Sequence, residues 1–95
     1  MIRINDDYFV EVDAHNYTLK RKATGTNKDG KPITTDKIVG YYNDLRNCIY
    51  GASEDCKRNE FSKSDYSLDE ALNKIQEIND SFTEILKQAV KEMED

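Results

Sequence analysis

At 95 residues the chain has room for one domain around a single core, since a chain this short buries only roughly 60–65% of the surface it exposes unfolded. It is 37% hydrophobic and 35% charged, with a mean hydropathy of −0.87, yet its Ile, Leu, Val, Tyr and Phe fall in periodic runs, which excludes a disordered tail. The net charge of −5 argues against non-specific phosphate binding by the chain as a whole, and no apolar stretch approaches the ~20 residues needed to cross a bilayer.

The opening Met1-Ile2-Arg3-Ile4-Asn5-Asp6-Asp7 lacks the apolar run of a signal peptide, so the chain is expected to stay in the cytoplasm where it is made. From Tyr8 to Asp13 the residues alternate, with Tyr8, Val10 and Val12 on one side and Phe9, Glu11 and Asp13 on the other, the two-residue period of a strand. Asp13-Ala14-His15-Asn16 supplies turn residues. Tyr17 to Lys22 alternates again, which predicts a hairpin. Gly25 to Pro32 reads as a loop, because Asp29-Gly30 accommodates positive φ and Pro32 has no N–H for a ladder. Ile33 to Tyr42 is a third antiparallel strand, next to its sequence neighbour as such strands usually are.

Asn43 is placed as the N-cap of a helix bearing Leu45, Cys48, Ile49 and Ala52 at helical spacing. Gly51 weakens it, and its end is open between Gly51 and Arg58. The polar stretch 53–66 holds Phe61 and Tyr66 as anchors. Cys48 and Cys56 on one helix would lie ~12 Å apart, beyond the ~7 Å limit for a disulfide, so two thiols in a reducing compartment are expected.

Ser67-Leu68-Asp69-Glu70 has the pattern of a capping box, with Tyr66 ahead of it to staple onto Ala71. From Leu68 to Met93 a broad apolar stripe follows for ~40 Å, longer than strands of ~17–20 Å can cover. Two arrangements stay open for the surplus: the first helix folds back on it, or Ala71, Ile75, Ile78, Phe82, Ile85 and Ala89 form a coiled-coil seam for a homodimer. The expected architecture is therefore α+β, one domain over residues 1–95, with a three-stranded antiparallel β-meander (1–42) packed against two C-terminal helices (43–95).

No catalytic set, metal site or cofactor site is expected. The single histidine, His15, sits in a turn without a Gly-rich elbow or a spaced acidic partner set, and the Cys/His spacing matches no zinc tetrad. Adjacent pairs such as Asp6-Asp7 and Glu54-Asp55 diverge on a helix or strand and set no acid/base geometry. Lys28-Asp29-Gly30-Lys31 lacks the second glycine and the Ser or Thr of a phosphate loop.

Charge divides the chain. Residues 1–41 hold seven Lys/Arg and six Asp/Glu, residues 42–95 seven and thirteen, giving net charges of +1 and −6. Lys20, Arg21, Lys22, Lys28, Lys31 and Lys37, interleaved with Tyr17, Tyr41 and Tyr42, form a candidate nucleic-acid contact on the hairpin. Lysines on exposed strands also discourage edge pairing, which is the plainer explanation. Glu54, Asp55, Glu60, Asp69, Glu77, Asp80 and Glu84 are candidate contacts to a basic protein surface.

The segments Ile4-Asn5-Asp6-Asp7-Tyr8-Phe9-Val10, Asn16-Tyr17-Thr18-Leu19-Lys20, Lys28-Asp29-Gly30-Lys31, Gly40-Tyr41-Tyr42-Asn43-Asp44-Leu45 and Ser67-Leu68-Asp69-Glu70-Ala71-Leu72 together resemble a family of small uncharacterised phage and prophage proteins of Gram-positive bacteria. The resemblance spans nearly the whole chain but not residues 50–66, with Cys56 and Phe61. It implies a viral accessory product without catalytic residues, acting stoichiometrically on a host defence or nucleic-acid-handling protein in the manner of an anti-CRISPR or other anti-defence inhibitor. The rival expectations are a nucleic-acid-binding regulator that uses the basic hairpin, and a dimeric sponge for a small signalling nucleotide.

Overall fold

The computed structural model describes residues 1–93. Strands β1 (Ile2–Arg3), β2 (Tyr8–Val12), β3 (Tyr17–Thr26) and β4 (Pro32–Tyr42) are followed by helices α1 (Leu45–Lys63) and α2 (Leu68–Met93), so the protein is α+β. Two compact units divide the chain, Met1–Cys48 and Ile49–Asp95.

In the first unit the sheet is an antiparallel meander of four strands in the order β1-β2-β3-β4, one strand more than the sequence pattern predicts. The added strand is β1, paired through Ile2↔Val10 and Arg3↔Phe9. Asn5 makes the reversal: its Oδ1 accepts from the backbone N–H groups of Asp7 and Tyr8, both at 2.9 Å, and the Ile4 N–H reaches the Tyr8 carbonyl at 3.0 Å. Two residues show no period, which is why only the pairing reveals this strand.

β2 and β3 pair from Tyr8↔Arg21 to Val12↔Tyr17. Val10 and Leu19 face each other across this ladder and are fully buried, each contributing on the order of 1.5–3 kcal/mol by leaving water. Phe9, on the opposite face of β2, is buried as well. The connecting turn is closed by Asp13, whose Oδ1 accepts from the N–H groups of His15 (2.8 Å) and Asn16 (2.7 Å). Those two bonds hold its carboxyl below the ordinary value of 3.8.

β3 and β4 run longer than their alternation suggests, and the expected loop over 25–32 contracts to residues 27–31. Asn27 organises it, with Oδ1 accepting from Asp29 N–H (3.0 Å) and Lys31 N–H (2.9 Å). Gly30 takes φ +78°, where a side chain would be strained. Pro32 is tolerated because it is the first residue of an edge strand. Beyond the Tyr8↔Arg21 pair, Ala23 to Thr26 continue as a two-stranded arm with Pro32 to Thr35, outside the reach of β2. A bulge at Leu19/Lys20 leaves Val39 as the extra residue.

α1 is capped by Asp44, one residue later than the Asn43 expected: Asp44 Oδ1 accepts from Asn47 N–H at 2.8 Å. The helix runs through Gly51 and past Arg58 to Lys63. A mid-helix glycine costs about 1 kcal/mol, and the buried run Cys48, Ile49, Ala52 and Ser53 more than offsets it. Both cysteines lie on this helix as thiols. Burial and the nearby Asp44 carboxylate push the Cys48 thiol up to about 11.

In the second unit α2 starts as its capping box predicts. Ser67 Oγ accepts from Glu70 N–H at 3.2 Å and donates to Glu70 Oε1 at 3.0 Å, so the carboxylate closes on the hydroxyl. Tyr66 stands edge-on to Phe61, ring centres 5.2 Å apart, and donates its hydroxyl to Glu60 Oε1 at 2.6 Å. Tyr66 is thereby tied to α1 through both its ring and its hydroxyl. Lys74 Nζ approaches Glu60 Oε1 at 3.9 Å near the loop, while further along Ile49, Tyr50 and Ser53 of α1 share a shallow recess of about 50 Å³ with Asn79, Phe82, Thr83 and Leu86 of α2. Sequence numbers fall on one helix as they rise on the other, which makes the pair an antiparallel hairpin. Ile78 and Phe82 are buried, whereas Leu68 and Leu72 stay 75% and 55% exposed.

Candidate functional site

The candidate acidic residues separate by helix. Asp69, Glu77, Asp80 and Glu84 are all exposed on α2. At ~100° and ~1.5 Å per residue they share a sector of roughly 80° and extend over ~22 Å of the helix axis. This sector lies opposite the Ile78 and Phe82 side, because the periods of the charged and the apolar residues are the same and their phases differ by about half a turn. Asp69 also sits in the first turn, where the helix dipole favours a negative charge.

Two members of the row are oriented by neighbours. Gln76 Nε2 donates to Asp80 Oδ1 at 2.9 Å. Lys74 Nζ lies 3.8 Å from Glu77 Oε2 and 3.9 Å from Glu60 Oε1, so one ammonium joins the α1 carboxylate to the α2 row.

The α1 candidates are engaged locally. Glu54 pairs with Lys57 at 3.2 Å, one turn on. Glu60 holds Tyr66, and that carboxylate, with partial burial and the further charges of Glu70 and Glu77, keeps the Tyr66 phenol above its ordinary value of 10.0. Asp55 is partly exposed on the same helix.

The basic candidates do not converge on one patch. Lys20 and Lys22 lie on one face of the β3–β4 ladder, where Lys20 Nζ meets Glu11 Oε2 at 3.0 Å and Lys22 stands opposite Asp36. Arg21 and Lys37 are cross-strand partners on the other face. Lys28 and Lys31 belong to the exposed tip around Gly30. Strand alternation alone separates Lys20 and Lys22 from Arg21; the placement of Lys37 needs the register.

His15 lies exposed in the β2–β3 turn, and Cys48 is fully buried on α1. Among the described residues no group of three or more His, Cys, Asp or Glu side chains is arranged to hold a metal ion, and no helix is long and apolar enough to cross a membrane.

Fold and site together define a small α+β protein with a four-stranded antiparallel meander, two helices and a carboxylate row along the second helix. Compared with protein-family models, curated proteins and solved structures, the chain matches none.

Proposed function

We propose that this chain is a non-catalytic phage accessory protein that acts in the bacterial cytoplasm by binding and inhibiting a host defence or nucleic-acid-handling protein. The observation that carries the reading is the row Asp69, Glu77, Asp80 and Glu84, four exposed carboxylates on one side of one helix. A rigid helix holds such charges at repeated spacing, and a protein surface built for phosphates would accept them through the same lysines and arginines. The resemblance to small phage and prophage proteins supports the same direction.

Capture from a bacterial lysate, with Asp69, Glu77, Asp80 and Glu84 all changed to Lys in the control, tests the reading. A nuclease or defence protein retained by the native chain and lost by the control supports it. Recovery of the same proteins by both, or no gain in phage plating when the native chain is expressed in immune cells, overturns it.

A second reading has its own observation: the two-stranded arm with Lys28 and Lys31 at its tip has the dimensions of a ribbon that enters a nucleic-acid groove. In that case a gel shift with the purified chain weakens steeply with added salt and is lost in Lys28→Ala/Lys31→Ala. A shift insensitive to both would exclude the arm.

A further inference from the structure

The tip of the β3–β4 arm carries the one Asp-Gly step of the chain, Asp29-Gly30, and the sequence has no Asn-Gly step. Such a step is prone to rearrange, because the glycine has no side chain to shield its nitrogen from the carboxyl group of the residue before it. The fold gives this step little support. Residues 24–38 are all exposed, and the arm extends past the last pair of β2 with β3. Segments with few buried contacts open locally at small cost in free energy.

Asn27 closes the tip from both sides. Its backbone N–H donates to the Lys31 carbonyl at 2.9 Å, its carbonyl accepts from Gly30 N–H at 3.0 Å, and its Oδ1 accepts from Asp29 N–H at 3.0 Å and from Lys31 N–H at 2.9 Å. The peptide unit joining Asp29 to Gly30 is thereby held with its N–H on the Asn27 carbonyl, and that bond must break before the nitrogen can turn to the Asp29 side chain. We propose that Asp29 is a site of spontaneous isomerisation to isoaspartate, with Asn27 as the clasp that limits its rate. In the opened tip the Gly30 nitrogen bonds to Asp29 Cγ, its proton and the carboxyl hydroxyl leave as water, and a succinimide ring closes. Water then adds to either ring carbonyl. Breaking the bond from Gly30 N to the main-chain carbonyl carbon of Asp29 leaves isoaspartate, and breaking the bond to Cγ restores aspartate, so the mass is unchanged and no oxidant or cofactor is consumed. Isoaspartate routes the main chain through Cβ and Cγ and lengthens the tip by a methylene, so the bonds from Asn27 to residues 29–31 can no longer all form. The inference concerns backbone chemistry at the tip and stands independently of the function proposed above.

Incubation of the full chain in warm, mildly acidic buffer, followed by peptide mapping, tests it, since isoaspartate peptides elute apart from their aspartate forms at equal mass and are labelled by an isoaspartyl methyltransferase. The native chain should accumulate isoaspartate at Asp29 ahead of every other aspartate, and more slowly than the same chain held open in guanidinium chloride. Asn27→Ala should isomerise at least about fivefold faster than native, the factor by which losing one net hydrogen bond shifts an opening equilibrium. Asn27→Asp, which keeps an acceptor at Oδ1, should stay close to the native rate. The comparison of native with denatured chain decides the matter should Asn27→Ala fail to fold, as read by circular dichroism. A native chain that forms no isoaspartate at Asp29, one that forms it as fast as the denatured chain, a folded Asn27→Ala protein no faster than native, or earlier isomerisation at another aspartate, each overturns the inference.

Discussion

The ring of Tyr42 lies over Gly40 two residues earlier in β4: a Cβ placed on Gly40 would come within 3.0 Å of the Tyr42 hydroxyl oxygen and 3.1–3.2 Å of two ring carbons. Gly40→Val must therefore turn the phenol off the strand. Because the atoms met are the far end of a half-buried side chain that can swing aside, the stability change in urea denaturation should stay under about 1 kcal/mol, while the Tyr42 ring resonances should shift. Gly40→Val with native ring shifts would mean that the ring does not rest there.

Removing core volume should be more costly. Ile78→Ala or Phe82→Ala, both at buried positions of α2, should lower stability by about 2–5 kcal/mol, a large share of a typical total of ~5–15 kcal/mol. Losses under about 1 kcal/mol at both sites would show that this side of α2 is solvated.

Ser67→Ala removes both hydrogen bonds that join residue 67 to Glu70. The expected cost is about 0.5–2 kcal/mol, with earlier fraying of the first turn of α2 in amide hydrogen exchange. Unchanged exchange at Glu70 and Ala71 would count against the cap.

Cys48 should resist thiol reagents near neutral pH until the chain unfolds, because its thiol is buried and titrates only at about 11. For a thiol raised in the folded state, the stabilisation is complete below the unfolded pKa and disappears as pH climbs from about 9 towards about 11. Alkylation followed by mass spectrometry should find Cys56, which is only partly buried, modified first. Equal rates at the two positions would contradict the structure.

Asp13 gives the opposite sign. Its carboxyl is lowered by the two turn N–H groups, so its contribution is present above 3.8 and is lost as pH falls through the folded value. The amide protons of His15 and Asn16 should therefore shift together below pH 3.8 in NMR spectra, and Asp13→Ala should abolish that titration.

The period-two runs at Tyr8–Val12 and Tyr17–Lys22 and the capping box at Ser67–Glu70 were readable because one residue type repeats at a spacing that only one secondary structure provides. The two-residue β1 has no spacing to read. The Thr-rich halves of the arm, Thr24–Thr26 and Ile33–Thr35, are exposed throughout and so lack the apolar alternation that marks a strand. The end of α1 is open in the sequence between Gly51 and Arg58, because the local cost of Gly51 can be weighed only against the burial of residues on either side of it, and the helix runs on to Lys63. The acidic residues of α2 could be phased from the sequence, whereas Glu60 could not, because its role depends on Tyr66 and Lys74 coming to it through the fold.

Among the described residues no strand pairs with the outer rim of β4, whose eleven residues are long enough to recruit stray strands into fibrils. Its own residues oppose that outcome. Pro32 withholds an N–H, the extra Val39 twists the ribbon, and a second β4 laid antiparallel about Asp36 or Lys37 would set ammonium against ammonium or carboxylate against carboxylate. The protein should consequently stay clear of amyloid at high concentration, and Asp36 and Lys37 are the two positions whose neutralisation would remove that protection.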